Sequence, residues 1–364
     1  MKIALLAAYF AVLLGIGFKC RRRANSVDGF VLGGRSVGAW LTAFAYGTSY
    51  FSAVVFVGYA GQFGWKYGIA ASWAGIGNAL IGSQLAWTVL GRRTRLLTQH
   101  LDSSTMPEFF GRRFDSTALK LFASAIIFVF LVPYTASLYN GLSRLFGMAF
   151  SIDYSVCIVL MSALTAAYVI AGGYFATAVN DFVQGLIMLV GLVAVIAAVI
   201  VSKGGLMAAL DGLARVSDPA VSETPGIFAS FFGPDPLNLL FVVILTSLGT
   251  WGLPQMVQKF YAIRNEDAIR KGTVVSTLFA FVIAGGCYFL GGFGRLFGDQ
   301  VDVAKEGFDA IIPTMLSNLG SGLVALTVVL VLSASMSTLS SLVITSSSTL
   351  TSDFVKTAFC PGMK

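Results

Sequence analysis

Long apolar stretches constrain this chain more than any other feature of its sequence. The hydrocarbon core of a bilayer is about 30 Å thick, and a helix needs about 20 apolar residues to cross it. Nine stretches are apolar and long enough to be predicted as membrane spans: 3–18, 37–62, 67–90, 119–147, 154–172, 175–201, 236–258, 272–296 and 318–346. The sequence therefore predicts an all-α polytopic membrane protein.

The composition excludes the main soluble classes. Only 11% of the 364 residues are charged and 56% are hydrophobic, whereas a soluble domain carries about 25% charged residues. A soluble enzyme and a disordered chain are therefore excluded. The four cysteines lie far apart and form no C-x-x-C pair, so they predict neither a zinc site nor a disulfide framework.

The basic residues predict an N-terminus on the outside. A basic group, Lys19 and residues 21–23, follows the first apolar run instead of preceding it, which is typical of a retained helix and not of a signal peptide. With this orientation, the inner segments 19–36, 92–120 and 259–271 and the tail from residue 353 hold 17 of the 24 Lys and Arg residues. This is the bias of the positive-inside rule. The net charge of +7 therefore reflects the membrane topology, and we expect no nucleic-acid partner. We expect the protein to lie in the plasma (inner) membrane.

Two of the predicted spans contain helix-breaking residues. A break at Gly47 in the second span would free the carbonyls of residues 43–46. In the seventh span, Pro254 has no N–H and would leave the carbonyl of Thr250 without its helical donor. The alternative is that glycine and proline here only allow close helix packing. Because the interruptions lie five spans apart, in corresponding positions of two halves, they favour the central site of a secondary transporter.

The spacing of these two spans divides the chain into unequal parts. Residues 1–36 hold an extra first helix and an inner loop, and residues 37–201 form a five-helix repeat. Residues 236–346 supply only three spans of a second repeat. We interpret residues 1–364 as a single transporter domain in which the second repeat is incomplete.

The last span carries hydroxyl groups at helical spacing. Ser337 and Ser341 share a helix face, and Thr338 lies three residues before Ser341. These hydroxyls would suit a small cation, although taken alone they are more often explained by back-bonding and close packing. A proton relay needs titratable groups at membrane depth, but Asp181 is the only acidic residue in a predicted span, and His100 lies in a loop. Sodium is therefore the predicted coupling ion.

Four motifs spread over the chain resemble those of one transporter family. Residues 32–38 precede the broken second span, residues 252–264 cover the second break, and residues 334–341 lie in the serine-rich helix. Residues 172–184 are similar to the signature G-G-x-x-A-x-x-x-T-D-x-x-Q, with Asn180 in place of the usual Thr. These motifs resemble the solute:sodium symporter family, which includes the bacterial sodium/proline and sodium/galactose symporters.

The resemblance implies a fold and a sodium site. The fold is the broken-helix, inverted-repeat (LeuT-type) transporter fold, and the mechanism is alternating access driven by the sodium gradient. The family's sodium ligands fall on the backbone carbonyls of Ala43, Tyr46 and Ala334. They also include the hydroxyls of Ser337 and Thr338.

The resemblance also implies a role for one acidic residue, and the two breaks together with Pro133 predict a solute pocket. Asp181 matches the family's inner acidic residue, which is associated with sodium release; the alternative is a structural carboxylate paired with a basic inner loop. The predicted pocket edge has uncharged side chains: Tyr50, Ser52, Tyr134 and Thr250. A small carboxylate-bearing solute, such as an amino acid or an organic acid, fits this lining because a half-helix N-terminus or the bound sodium favours negative charge. Proline is less expected, since Tyr50 replaces the Asp of proline symporters.

Three other functions remain open at this point. One is a membrane sensor, since some transporter-like membrane domains are attached to signalling modules, and another is a sugar-type sodium symporter. A channel is the third alternative. The family normally extends two or more helices beyond the serine-rich one, so we expect residues 1–364 to be a fragment. The sequence leaves the oligomeric state open.

Overall fold

The computed structural model describes residues 2–150 and 153–360, and helices dominate this part of the chain. The helices are α1 Lys2–Cys20, α2 Val27–Leu32, α3 Ala39–Tyr50, α4 Ala60–Tyr67, α5 Ser72–Gly77, α6 Arg92–His100, α7 Met106–Arg113, α8 Thr117–Phe150, α9 Tyr154–Ser202, α10 Leu206–Ala214, α11 Pro236–Leu248, α12 Pro254–Ala262, α13 Glu266–Gly292, α14 Val303–Glu306, α15 Ile311–Ser317, α16 Ser321–Ser348 and α17 Lys356–Ala358. Wider π-helical turns continue them at Val54–Tyr59, Asn78–Leu85, Trp87–Gly91 and Thr349–Val355.

Two of the membrane-length segments are bent. In the described residues, five helices are long and apolar enough to cross a membrane, or seven if each bent pair counts as one span. Ala39–Tyr50 meets Val54–His100 at 51°, and Pro236–Gly252 meets Pro254–Ala262 at 53°. The predicted all-α fold with two broken spans is therefore confirmed.

Two glycines divide helical segments that are too long for one crossing. A straight helix of the 49 residues of α9 would be about 74 Å long, more than twice the thickness of the bilayer core. Gly173 interrupts it with φ 57° and ψ −156°. Gly68, with φ 62° and ψ −141°, does the same at the end of α4. Division at these glycines gives the nine predicted stretches, and the nine-span topology stays a prediction.

The first break does not lie at Gly47, contrary to the sequence prediction. This residue lies inside the regular part of α3, where a Cβ atom would overlap the ring of Phe279. Glycine is needed there for the close approach of α13. The helix instead ends at Tyr50, and Ser52 restarts it by accepting a hydrogen bond from the N–H of Val54 at 3.3 Å.

The serine-rich helix α16 lies at the centre of the molecule. In its most apolar stretch, within Ser321–Ala358, 78% of the residues are buried, against 17% for Ala4–Ala24 and for Thr117–Leu142. It packs against α9, α8 and α3. The hydroxyls in the middle of this helix are therefore shielded from lipid: those of Ser333, Ser335, Ser337, Thr338, Ser340 and Ser341 all belong to buried residues.

The segments that flank the two broken spans pair with each other. The N–H of Val37 donates to the carbonyl of Ala262 at 3.2 Å, and the N–H of Arg264 donates to the carbonyl of Val37 at 2.9 Å. Arg95 Nε donates to the carbonyl of Ile263 at 2.9 Å. This pairing fixes the start of α3 beside the end of α12.

We expect Gly291→Ala to destabilise the fold. A Cβ atom at Gly291 in α13 would overlap the carbonyl oxygen of Ala60 in α4, so the two helices would have to separate. Overpacking of this kind costs about 1–3 kcal/mol or more. Thermal unfolding of the purified protein in detergent measures the effect.

Gly285→Ala is the matched control. This glycine lies in the same helix, and the position that a Cβ atom would take there has no neighbouring side chain or helix within 4 Å. Equal unfolding temperatures for the two variants would contradict the close packing of α4 and α13.

Candidate functional site

Four oxygen atoms from α3 and α16 form a buried cluster. Ser337 Oγ lies 3.2 Å from the carbonyl oxygen of Thr48 and 3.1 Å from that of Ala334. Thr338 Oγ1 lies 3.3 Å and 3.0 Å from the same two carbonyl oxygens. The four residues are at most 1% exposed. Thr48 belongs to the last turn of α3, where carbonyls lack partners within the helix.

The cluster contains three of the five predicted sodium ligands. Ala334, Ser337 and Thr338 lie together as expected, but the carbonyl that meets them is that of Thr48. Ala43 and Tyr46 lie in the unbroken part of α3, where carbonyls accept from N–H groups of the next turn. The prediction that a break frees these two carbonyls is wrong, because it placed the break at Gly47.

The chemistry of the cluster suits a small hard cation. Both hydroxyls now donate to the carbonyls, and a cation between them would use the hydroxyl lone pairs in place of these hydrogen bonds. Such ions prefer oxygen ligands, and carbonyls of unwound helices coordinate sodium in transporters. Within residues 2–150 and 153–360, no group of three or more His, Cys, Asp or Glu side chains could hold a metal ion.

Tyr50 connects the two broken spans. It is the last residue of α3, and its buried hydroxyl donates to the carbonyl of Thr246 in α11 at 2.7 Å. Thr250, one turn further along, donates its hydroxyl to the carbonyl of Ser247 at 3.0 Å. Two of the predicted solute residues therefore lie on adjoining helix ends.

The other two predicted solute residues have different surroundings. Ser52 is 1% exposed and lines a small cavity with Phe51 and Ala334. Tyr134 lies on α8 in an apolar groove beside Leu253 and Pro254. The structure thus places one of them beside the first break and the other beside the second.

The second break is closed by a short turn. The carbonyl of Thr250 lacks its helical donor, as predicted, because Pro254 has no N–H; it accepts instead from the N–H of Leu253 at 3.2 Å. Pro254 is the first residue of α12, where a missing N–H has no cost. No side chain caps this helix. Within the described chain, the amide of the fully buried Gln255 has no hydrogen-bond partner.

Lys259 is a buried residue that sequence reasoning misses. The sequence prediction places it in an inner loop, but it lies in α12 and is 1% exposed. Its ammonium lies 3.8 Å from Asp181 Oδ2 and donates to Ser341 Oγ at 2.9 Å. Asp181 thus has a basic partner, and its role in sodium release stays a prediction. The spacing of Gln255, Gln258 and Lys259 puts them on one helix face, which is the available signal for burial.

Comparison with known proteins identifies similar chains. A sequence model described as "Sodium:solute symporter family" matches residues 30–364. A sodium/proline symporter of Staphylococcus aureus is 29% identical over 97% of this chain, and the one from strain JH9 is 30% identical over the same share. The match spans 68% of the length of each relative.

The fold also matches a solved structure. It is the substrate-bound, outward-open state of a Na⁺-coupled sialic acid symporter, described as revealing a novel Na⁺ site. The TM-score is 0.75, with 98% of this chain and 74% of that chain covered and 20% sequence identity. This likeness supports the broken-helix transporter fold.

We expect Tyr50→Phe to weaken the link between the two broken spans. The variant loses the hydrogen bond to the Thr246 carbonyl, and such a bond contributes about 1 kcal/mol to the free energy of unfolding. Thermal or denaturant unfolding in detergent measures the loss. Tyr59→Phe is the control, because Tyr59 is 41% exposed. If both variants unfold like the wild type, the Tyr50 contact does not stabilise the fold.

Proposed function

Because the chain belongs to the sodium:solute symporter family, we propose that it imports a small carboxylate-bearing solute, an amino acid or an organic acid, together with sodium by alternating access. Membership of this family makes it a sodium-coupled transporter and not an enzyme. The observation that carries the proposal is the buried cluster of two carbonyls and two hydroxyls between α3 and α16.

In this proposal sodium is a co-transported substrate held by neutral oxygens. The ligands are the carbonyls of Thr48 and Ala334 and the hydroxyls of Ser337 and Thr338. Sodium there would join the broken end of α3 to α16, so its arrival would bias how these helices pack. A site with no carboxylate gives it up readily, as alternating access requires.

The second break is the proposed place for the solute's carboxylate. The N-terminus of α12 has no side-chain cap, and a half-helix N-terminus favours negative charge. The buried amide of Gln255 lies in the same turn. A strongly cationic solute would need a free buried carboxylate, whereas Asp181 is paired with Lys259. Proline and sialic acid, for which the similar proteins are named, are both carboxylic acids.

The proposed location is the plasma (inner) membrane, with the N-terminus outside. The apolar helices and the family make the chain a multi-pass membrane protein, and the distribution of Lys and Arg supports this orientation. The lipid bilayer is then its permanent surrounding.

We expect Ser337→Ala and Thr338→Ala each to raise the sodium concentration for half-maximal uptake, by about tenfold for a loss of about 1.4 kcal/mol of sodium binding. Each variant removes one neutral oxygen from an ion that has few ligands. The measurement is a sodium titration of uptake by the protein expressed from its full reading frame. Ser347→Ala is the control, because this exposed hydroxyl bonds only back to Ile344 among the described residues. Unchanged sodium dependence in both variants would show that α16 is not the sodium helix.

A competition panel in sodium-energised vesicles tests the solute class. Labelled amino acids and organic acids, with sugars as competitors, are offered with and without a sodium gradient. We expect sodium-dependent uptake of a carboxylate-bearing compound that neutral sugars do not inhibit. Uptake of a sugar that no amino or organic acid affects would refute the solute class and leave the sodium coupling intact.

A further inference from the structure

A buried ion pair lies one helical turn from the proposed sodium cluster. Ser341 follows Ser337 by four residues on α16, so the two hydroxyls face the same side of the helix. Lys259 Nζ donates to Ser341 Oγ at 2.9 Å and lies 3.8 Å from Asp181 Oδ2. Ser341 Oγ also lies 2.9 Å from the Oγ of Ser49 in α3. A charged group from α12 thus reaches the same helices that form the cluster.

The two polar contacts of the Lys259 ammonium differ in length. A hydrogen bond between an ammonium and a carboxylate is about 2.7–2.9 Å long, and the 3.8 Å contact with Asp181 is about 1 Å longer. Neither carboxylate oxygen of Asp181 has a hydrogen-bond partner in the described chain. The neutral hydroxyl of Ser341 has the shorter contact. A shift of about 1 Å would therefore bring the ammonium within hydrogen-bond distance of Asp181.

No other charged group of the described chain forms an ion pair with either residue. The ammonium also lies near the ring of Tyr174, whose centroid is 5.1 Å from Nζ. Lys259 and Asp181 have side chains that are 2% and 0% exposed. Their charges are therefore screened little by solvent, and a further cation nearby acts on them strongly.

We propose that Lys259 is a tethered cation that competes with sodium for the hydroxyl oxygen of Ser341, and that Asp181 draws the ammonium aside when sodium passes. The inference rests on the proposed sodium symport. Ser341 is the next hydroxyl along α16 from the sodium cluster, so a sodium ion that leaves along this helix meets it. The ammonium must then release Ser341, because two cations repel each other at this distance.

The same movement also changes the contacts between helices. Lys259 belongs to α12, and Ser341 bonds to Ser49 of α3. When the ammonium leaves Ser341, the inner half of the second broken span loses a hydrogen bond to α16. The side chain of Lys259 thereby links the passage of sodium to the contact between α12 and α16.

The test compares Asp181→Asn with the double variant that also carries Lys259→Met. In the single variant the ammonium has no carboxylate to move to and stays at Ser341, so turnover should fall at least fivefold while half-saturation by outside sodium changes less than twofold. In the double variant no ammonium remains, and no buried charge is left unpaired. Its turnover should return to within threefold of the wild type.

The assay is exchange of radioactive sodium across liposomes that contain the protein from its full reading frame. The amino- and organic-acid mixture of the competition panel is present on both sides. Lys120→Met with Asp353→Asn is the matched control, because this second, largely buried Lys–Asp contact, at 3.4 Å, lies outside the sodium cluster. Asp353→Asn, with or without Lys120→Met, should not reproduce the loss and recovery.

A second measurement covers the case in which Asp181→Asn does not fold. In the double variant, sodium from the inside meets no competing ammonium, so inside sodium should inhibit uptake at a concentration at least threefold lower than in the wild type. Equal inhibition would overturn the inference, and so would a folded single variant with wild-type turnover or a double variant as slow as the single. A wild-type protein that exchanges no radioactive sodium in the presence of the acid mixture would instead refute the proposed symport.

Discussion

The backbone of a helix that breaks inside a membrane must find partners for its carbonyls, because lipid supplies none. In this protein the carbonyl of Thr48 finds two, the hydroxyls of Ser337 and Thr338. This requirement explains why a helix rich in serine lies at the centre of the fold and not at its surface. The same oxygens that satisfy the break form the cluster that suits sodium.

Helix α12, the second half of the second broken span, makes several polar contacts in addition to its apolar packing. Helix α12 has only nine residues, which is too short to be stable alone. Gln258 Nε2 donates to the carbonyl of Val31 and its Oε1 accepts from Thr345, both at 2.9 Å. Lys259 adds the contacts to Ser341 and Asp181. These contacts connect α12 with α2, α9 and α16.

Neutral and charged groups have separate places in this architecture. The oxygens proposed for sodium carry no formal charge, so the ion can bind without a permanent counter-ion. The buried charges lie one turn away and compensate each other. A carboxylate within the cluster itself would hold sodium more tightly and slow its release, whereas a paired carboxylate nearby affects the ion through the lysine.

The sequence by itself determined the membrane class, the two interrupted spans and the hydroxyls of α16, because apolar length, Pro254 and the spacing of Ser337 and Thr338 are local properties. It also identified Asp181 as the acidic residue within a predicted span. Only the tertiary structure decided which carbonyl meets the hydroxyls, because Ser52 restarts the helix and no glycine or proline marks that break. It also decided that Lys259 is buried, since a lysine at the end of an apolar stretch becomes interior only when a carboxylate from another helix reaches it.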